Sequence, residues 1–287
     1  MSKPSLLVIG CGDLGSAVAL HYADAGWQVW GVRRQTCVLP GVTMLSADVT
    51  EIASLRPLAA LAPDFVLMVL TPGAFTDERY RKVYVEGLTN CLQVLDRSKL
   101  RRLVWVSSTS VFQQDDGQLL NEDSAATPTN FSGQRLLEAE TLLGAADIPH
   151  TIVRCGGIYG PGRERLLRQL RAGKRSPNTP LRVSNRIHRD DVVGILQFLL
   201  MQAAAGLQLD NRYLAVDAEP APISDVEQWF CMQLGIDYTT LVVQDGELRG
   251  GNRRCSSERL QALGYRFLYP TYREGLKSLL MAESLEY

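Results

Sequence analysis

Hydrophobic and polar positions follow two alternating patterns through the first half of the chain. Short, largely apolar runs at Leu6–Ile9, Trp27–Val32, Val42–Leu45, Phe65–Leu70, Leu103–Ser107 and Thr151–Arg154 read as buried strands. Helical patterns separate them, from about Leu14 to Ala25, at Ile52–Leu61, around Asp77–Arg97 and at Phe131–Gly144. This alternation predicts an α/β fold, a doubly wound parallel sheet with helices on both faces. After Cys155 the pattern changes. Prolines and glycines gather at Gly156–Gly162 and Arg175–Pro180, Asp190-Asp191 open an apolar helix from Val192 to about Ala205, and Tyr213–Val216, a helix over Ile223–Leu234 and Ser256–Met281 complete the chain. The expected division is a first domain over residues 1–155 and a small C-terminal substrate lobe over 156–287, interleaved with late sheet elements. No internal repeat or low-complexity segment interrupts it.

The turn after the first strand carries chemistry. Gly10-Cys11-Gly12-Asp13-Leu14-Gly15 has GxGxxG spacing, follows a strand and opens a helix, which is the context of a Rossmann-like dinucleotide site. Gly10 permits the turn, Gly12 lets backbone approach a pyrophosphate, and Gly15 lets helix and strand pack closely. The helix N-terminus adds N–H groups and a positive dipole end. An NAD-selective site places an acid at the end of the second strand; this chain places Arg33 and Arg34 there. A guanidinium binds a 2′-phosphate that a carboxylate would repel, so NADP is expected, with NAD as the alternative cofactor. Solvated loop arginines are the competing reading. Ligands of such sheets bind beyond the carboxyl ends of the strands, where Asp48, Leu70, Thr71, Ser107 and Ser108 fall.

Composition narrows the classes. The 287 residues are 46% hydrophobic and 21% charged, with a formal net charge of −1. That balance gives no general attraction to nucleic acid or membrane. No signal-peptide pattern and no apolar run of transmembrane length is present in the sequence. Six scattered cysteines without a CxxC pair argue against a metal site or disulfide framework, and a cytoplasmic location is expected. Gly162–Arg175 concentrates basic residues around Leu166, Leu167 and Leu170, which reads as a helix with a solvated basic face.

Beyond the glycine turn, four segments resemble the extended short-chain dehydrogenases/reductases, the NAD-dependent epimerase/dehydratase family, over nearly the whole chain. They are Val106–Phe112, Arg154–Gly162, Arg186–Val192 and Asn211–Asp217. The GxGxxG spacing resembles the atypical branch. The resemblance implies an oxidoreductase or epimerase acting on a hydroxyl or carbonyl of a small-molecule substrate, a nucleotide-linked sugar in many relatives. It implies a homodimer through the helices around Asp77–Arg97 and Phe131–Gly144. It places the family's Ser/Thr at Ser108. The family's proton-transferring Tyr falls on Phe131, its Lys on Arg135 and its helix Asn on Tyr84. Phe has no proton to exchange, and Arg stays charged, so Arg135 is read as a cofactor contact. Tyr84, Tyr159 and His188 are the substitute proton donors, each also readable as a packed structural residue. The rival to an enzyme is a catalytically silent NADP(H)-binding redox sensor or regulator.

Overall fold

The computed structural model describes residues 3–35, 37–244 and 251–284. Contacts divide the chain into two compact units. The first runs up to Phe112 and takes in Ala126–Arg154 and Val193–Tyr213; the second comprises Gln113–Ala125, Cys155–Val192 and the chain from Leu214 onward. The chain therefore passes between units more often than a single cut after residue 155 implies.

The apolar runs form the sheet. Its strands are β1 (Ser5–Ile9), β2 (Gln28–Arg33), β3 (Val42–Ser46), β4 (Phe65–Met68), β5 (Arg102–Ser108), β6 (His150–Cys155) and β9 (Arg212–Ala215), in the order β9-β6-β5-β4-β1-β2-β3. β1 pairs in parallel with both β2 and β4, so chain order reverses at that point. In doubly wound sheets the crevice beyond such a reversal is where ligands bind. Leu6, Leu7, Val8 and Ile9 are fully buried, as are all of Phe65–Met68. Strands covered on both faces need such continuous apolar runs, and each such side chain contributes about 1.5–3 kcal/mol.

Helix α1 (Asp13–Asp24) buries Leu14, Val18, Ala19 and Tyr22 on one stripe, and Gly26, at φ +81°, turns the chain out of it. Two helical expectations are refined. Ile52–Ala60 is a 3₁₀ helix containing Pro57, which lacks the N–H that a regular α-helix requires. The single helix expected around Asp77–Arg97 is α2 (Asp77–Tyr80), a π-helical turn over Arg81–Glu86, and α3 (Gly87–Val94), ending three residues early. At Gly87 an added Cβ would lie 2.8 Å from Val49 Cγ2. The helix approaches the chain after β3 that closely because the residue there has no side chain. Helix α4 (Phe131–Gly144) starts at an Asn130 cap whose side chain accepts from Gly133 N–H.

In the second unit β7 (Gly157–Tyr159) pairs in parallel with β8 (Arg186–His188). Helix α5 (Arg165–Arg171) buries Leu167 and Leu170 and exposes Arg165, Arg168 and Arg171. It ends before Arg175, which is half-buried with its guanidinium 5.2 Å from the Tyr238 ring centre and not on the basic helical face expected from the spacing. Helix α6 (Arg189–Ala204) begins in this unit and ends in the first. Helices α7 (Ile223–Leu234), α8 (Glu258–Ala262) and α9 (Tyr272–Ser284) follow. Phe230, Tyr272, Leu276 and Leu279 join Leu167 and Leu170 in its core. All six cysteines are free thiols. Among the described residues no helix is long and apolar enough to cross a membrane, and no cluster of His, Cys, Asp and Glu has metal-site geometry.

Candidate functional site

The glycine turn in the first unit is built by backbone bonds. Gly10 N–H and Cys11 N–H both donate to Val32 O, at 3.0 and 2.9 Å, pinning the turn to the end of β2. Gly10 sits at φ +91°, and a Cβ there would lie 2.1 Å from Val69 O, so only glycine fits. A Cβ on Gly15 would meet Gly10 O at 2.4 Å, the close helix–turn contact expected of the third glycine. Gly12 is different: a Cβ there meets nothing within 4 Å. Its open face and the first-turn N–H groups of α1, which have no intrahelical acceptor, form a cradle that fits a pyrophosphate. Asp13 and Leu14 occupy that first turn, and Cys11 is buried with its thiol near Ser16 Oγ at 3.7 Å.

Arg33 ends β2 half-buried, and Arg34 is exposed beyond it. Neither forms an ion pair among the described residues; Arg33 Nη1 donates only to the soft sulfur of Cys37, at 3.3 Å. Asp48 Oδ1 accepts from Thr50 N–H and hydroxyl at 2.9 and 2.8 Å, closing the turn after β3. Leu70 and Thr71 follow β4, and Leu70 O faces the Tyr84 hydroxyl at 3.5 Å.

Two adjacent serines end β5 and do different things. Ser107 is buried and donates to Glu140 Oε1 at 2.6 Å. Glu140, on α4, is also held by Arg154 of β6, whose Nη2 lies 2.6 Å from Oε2. Ser108 is half-buried and accepts from Ser110 N–H at 3.1 Å, which leaves its own O–H to donate. At Gly133 a Cβ would lie 2.3 Å from Ser110 O, so the first turn of α4 rests on this strand end at backbone contact.

That turn carries Phe131 and Arg135. Phe131 packs on Phe75 at 4.8 Å and Tyr80 at 5.4 Å between centroids. Arg135 makes a bidentate pair with Asp77, at 2.7 and 3.0 Å, and a third bond to Glu138 at 2.8 Å. Its guanidinium holds the Asp77 carboxyl below the usual carboxylate range. Tyr84 lies in the π turn with its ring 5.3 Å from Tyr80, and burial pushes its hydroxyl pKa up, away from neutrality.

Tyr159 and His188 lie in the second unit, opposite each other in the β7–β8 register, with rings edge-on at 5.3 Å. Helix α9 covers them. Tyr159's hydroxyl presses on Gly275, where a Cβ could not be accommodated, and His188 Nε2 lies 3.5 Å from Ser278 Oγ. His188 is fully buried, and its Nδ1 accepts from Asp190 N–H at 3.2 Å, so the network assigns the ring proton to Nε2. Burial lowers the imidazole's pKa.

Sequence reasoning missed the buried charges. Asp217 N–H donates to Arg186 O at 2.7 Å, and both side chains are buried. Burial pushes the Asp217 carboxyl up to about 7, against the lowering effect of the Arg186 charge. A carboxyl whose pKa rises on folding stabilises the fold while protonated. Its contribution is full below the unfolded value near 3.8 and is lost as pH rises to about 7. His188 acts oppositely, costing stability as pH falls below 6.5. Asp217→Asn is therefore expected to flatten the fall in denaturation midpoint between pH 4 and 7, relative to the parent protein. An unchanged pH profile would show that Asp217 ionises normally.

A doubly wound sheet with an open glycine turn at its switch point defines a nicotinamide-nucleotide-binding protein of Rossmann-like fold. Residues 6–206 match the model of the NAD dependent epimerase/dehydratase family, and the chain belongs to that family. It is 28% identical to Protein YeeZ of Escherichia coli (strain K12) over 281 residues, covering 92% of this chain and 95% of YeeZ. A solved structure from Methylobacillus flagellatus, assigned to the NAD-dependent epimerases/dehydratases, is 35% identical with a TM-score of 0.82, over 99% of this chain and all of that one. MoeE5 in complex with UDP-glucose and NAD shares the fold at 20% identity, TM-score 0.76, over 99% of this chain and 100% of its own.

Proposed function

We propose that the protein is an NADP(H)-dependent oxidoreductase or epimerase acting on a hydroxyl or carbonyl of a nucleotide-linked sugar. The observation that carries this reading is the open glycine turn beside two arginines that have no acid partner among the described residues. Gly10–Gly15 would hold the pyrophosphate, and Arg33, with Arg34 beside it, the 2′-phosphate. Asp48, Leu70 and Thr71 line the same strand ends. The bound nicotinamide supplies hydride transfer. Ser108, with a free O–H, would orient the reacting oxygen. The complex of MoeE5 with UDP-glucose and NAD supports the substrate class.

One observation favours a second reading, an NADP(H)-binding regulator without catalysis. Phe131 stands within an aromatic cluster where relatives carry the proton-transferring Tyr, and the Arg135 charge is already spent on Asp77 and Glu138. Burial of Tyr84 leaves it a weak acid. The two readings separate by experiment. The cofactor-stripped protein is titrated with NADPH and NADH, then incubated with 4-deuterated NADPH and a panel of keto forms of UDP- and dTDP-linked sugars, with label transfer followed by mass spectrometry. Transfer that falls on the order of 10²-fold in Ser108→Ala supports the enzyme. Tight NADPH binding with no transfer supports the regulator, and binding of neither dinucleotide overturns both.

A further inference from the structure

A second hollow opens at the opposite end of the strands, wholly within the first unit. It measures about 480 Å³ and lies where β5, β6 and β9 begin. Arg101, Arg102 and His150 supply its charge-bearing groups, Ile148, Pro149 and Leu207 its apolar wall, and no carboxylate lines it. We propose that this hollow is a binding site for a phosphate monoester carrying a compact apolar or planar group, distinct from the dinucleotide site at the carboxyl ends of the strands.

The cations are fixed before any ligand arrives. Arg102 Nη1 donates to His150 O at 2.9 Å and Thr151 Oγ1 at 3.1 Å. Neither arginine forms an ion pair with a described residue. Arg102 is half-buried; burial lowers its pKa, the Tyr213 hydroxyl offsets that only in part, and no carboxylate of the described residues is paired with it. A desolvated guanidinium without a counter-charge favours an oxyanion, which it can bind through two parallel N–H groups. The carboxyl end of α6 points at the same place and would repel an anion. Arg101 removes that obstacle: its Nη2 donates to Ala203 O and Ala204 O at 3.3 and 2.9 Å, and its guanidinium lies over the Phe65 ring. Arg102 then dominates the local field. His150 Nδ1 faces Ile148 O at 2.9 Å, so Nδ1 carries a proton; Nε2 is left to accept from the P–OH of a phosphate monoanion or, in the imidazolium form, to donate to its oxygen. The apolar wall beside these groups selects an ester over a bare ion.

The chain has three histidines, His21, His150 and His188, so their imidazole Hε1 signals can be followed individually by NMR. The cofactor-loaded protein is titrated with phenyl phosphate and, separately, with inorganic phosphate at constant ionic strength. A saturable shift of the His150 signal is expected, with His188 and His21 still, and at lower concentration for phenyl phosphate. Arg102→Met should raise the midpoint about tenfold or more while the His188 signal reports an intact fold. Leu207→Trp, at an exposed position on the rim, should block binding without touching a charge. If His150 does not shift, if all three signals move together, if both variants titrate like the parent, or if the two phosphates bind equally, the proposal fails.

Discussion

Replacing Glu140 with alanine is expected to lower stability by roughly 3–5 kcal/mol, the usual consequence of leaving one member of a buried ion pair behind. The side chains of Arg154 and Glu140 are only 2% and 4% exposed, so water can supply little to the stranded guanidinium. Arg154 would lose bonds from both Nε and Nη2, and Ser107 would lose its acceptor at the same time. The Phe112 face, 5.0 Å from the guanidinium carbon, replaces only part of that interaction. In a chain of this size the loss corresponds to a fall in melting temperature of roughly 6–20 °C. Glu140→Gln keeps the shape and one of the two acceptor oxygens but not the charge, and should fall between. The double variant Glu140→Leu with Arg154→Met should be less destabilised than Glu140→Ala alone, because neither charge is then left unpaired. Melting of the four proteins decides the matter. A drop of a degree or two in Glu140→Ala, or a double variant at least as destabilised as Glu140→Ala, would refute a coupled buried pair.

This trio also shows where sequence reading stops. The strand carrying Arg154 is legible from Thr151–Val153, and α4 from its Asn130 cap and apolar spacing. Nothing in either pattern says that Arg154 and Glu140, fourteen residues apart, point at one another and at Ser107. The available signal was a charged residue at the end of an otherwise buried run; such a residue needs a partner. The first strand, the glycine turn and the end of β2 were legible because a strand, a tight turn and a helix start all impose local requirements. Gly10 and Gly15 answer contacts made within a few residues or to the adjacent strand.

The helical stretch after Thr76 was legible in type but not in detail. Its apolar spacing reads as one helix, whereas the π turn over Arg81–Glu86 changes the phase of the residues behind it. Gly87 against Val49 is a tertiary contact, which helical periodicity does not record. Tyr159 and His188 were singled out for their chemistry and their neighbouring motifs. Their burial depends on Gly275 and Ser278 of α9, more than 85 positions away in the chain, which local pattern does not reach. Absence of the Tyr and Lys at Phe131 and Arg135 was visible by comparison with the family pattern. What Arg135 does instead, binding Asp77 fifty-eight positions earlier, was not.

The second large effect is on cofactor choice. In the proposed site, Arg33→Ala is expected to weaken NADPH binding by roughly 10- to 100-fold, the value of one charge-assisted hydrogen-bonded contact of about 1.5–3 kcal/mol. NADH, which lacks the 2′-phosphate, should bind the variant as it binds the parent. The parent guanidinium is well disposed to take that phosphate. Its one recorded side-chain bond is to Cys37 Sγ, a weak acceptor that costs little to give up. No carboxylate of the described residues is paired with it, so no ion pair must break first. Arg34 is exposed and more fully screened, so Arg34→Ala should weaken NADPH binding less than Arg33→Ala. Arg33→Asp goes further: its carboxylate repels the 2′-phosphate and is suited to accept from a 2′-hydroxyl, so preference should pass to NADH. Calorimetric titration of the four proteins with both dinucleotides, at two salt concentrations, reads all of this. The NADPH advantage should shrink at the higher salt in the parent and be nearly absent in Arg33→Ala. Equal losses for NADPH and NADH in Arg33→Ala would mean that Arg33 supports the turn and not the phosphate. No loss for either would place the selectivity outside the end of β2.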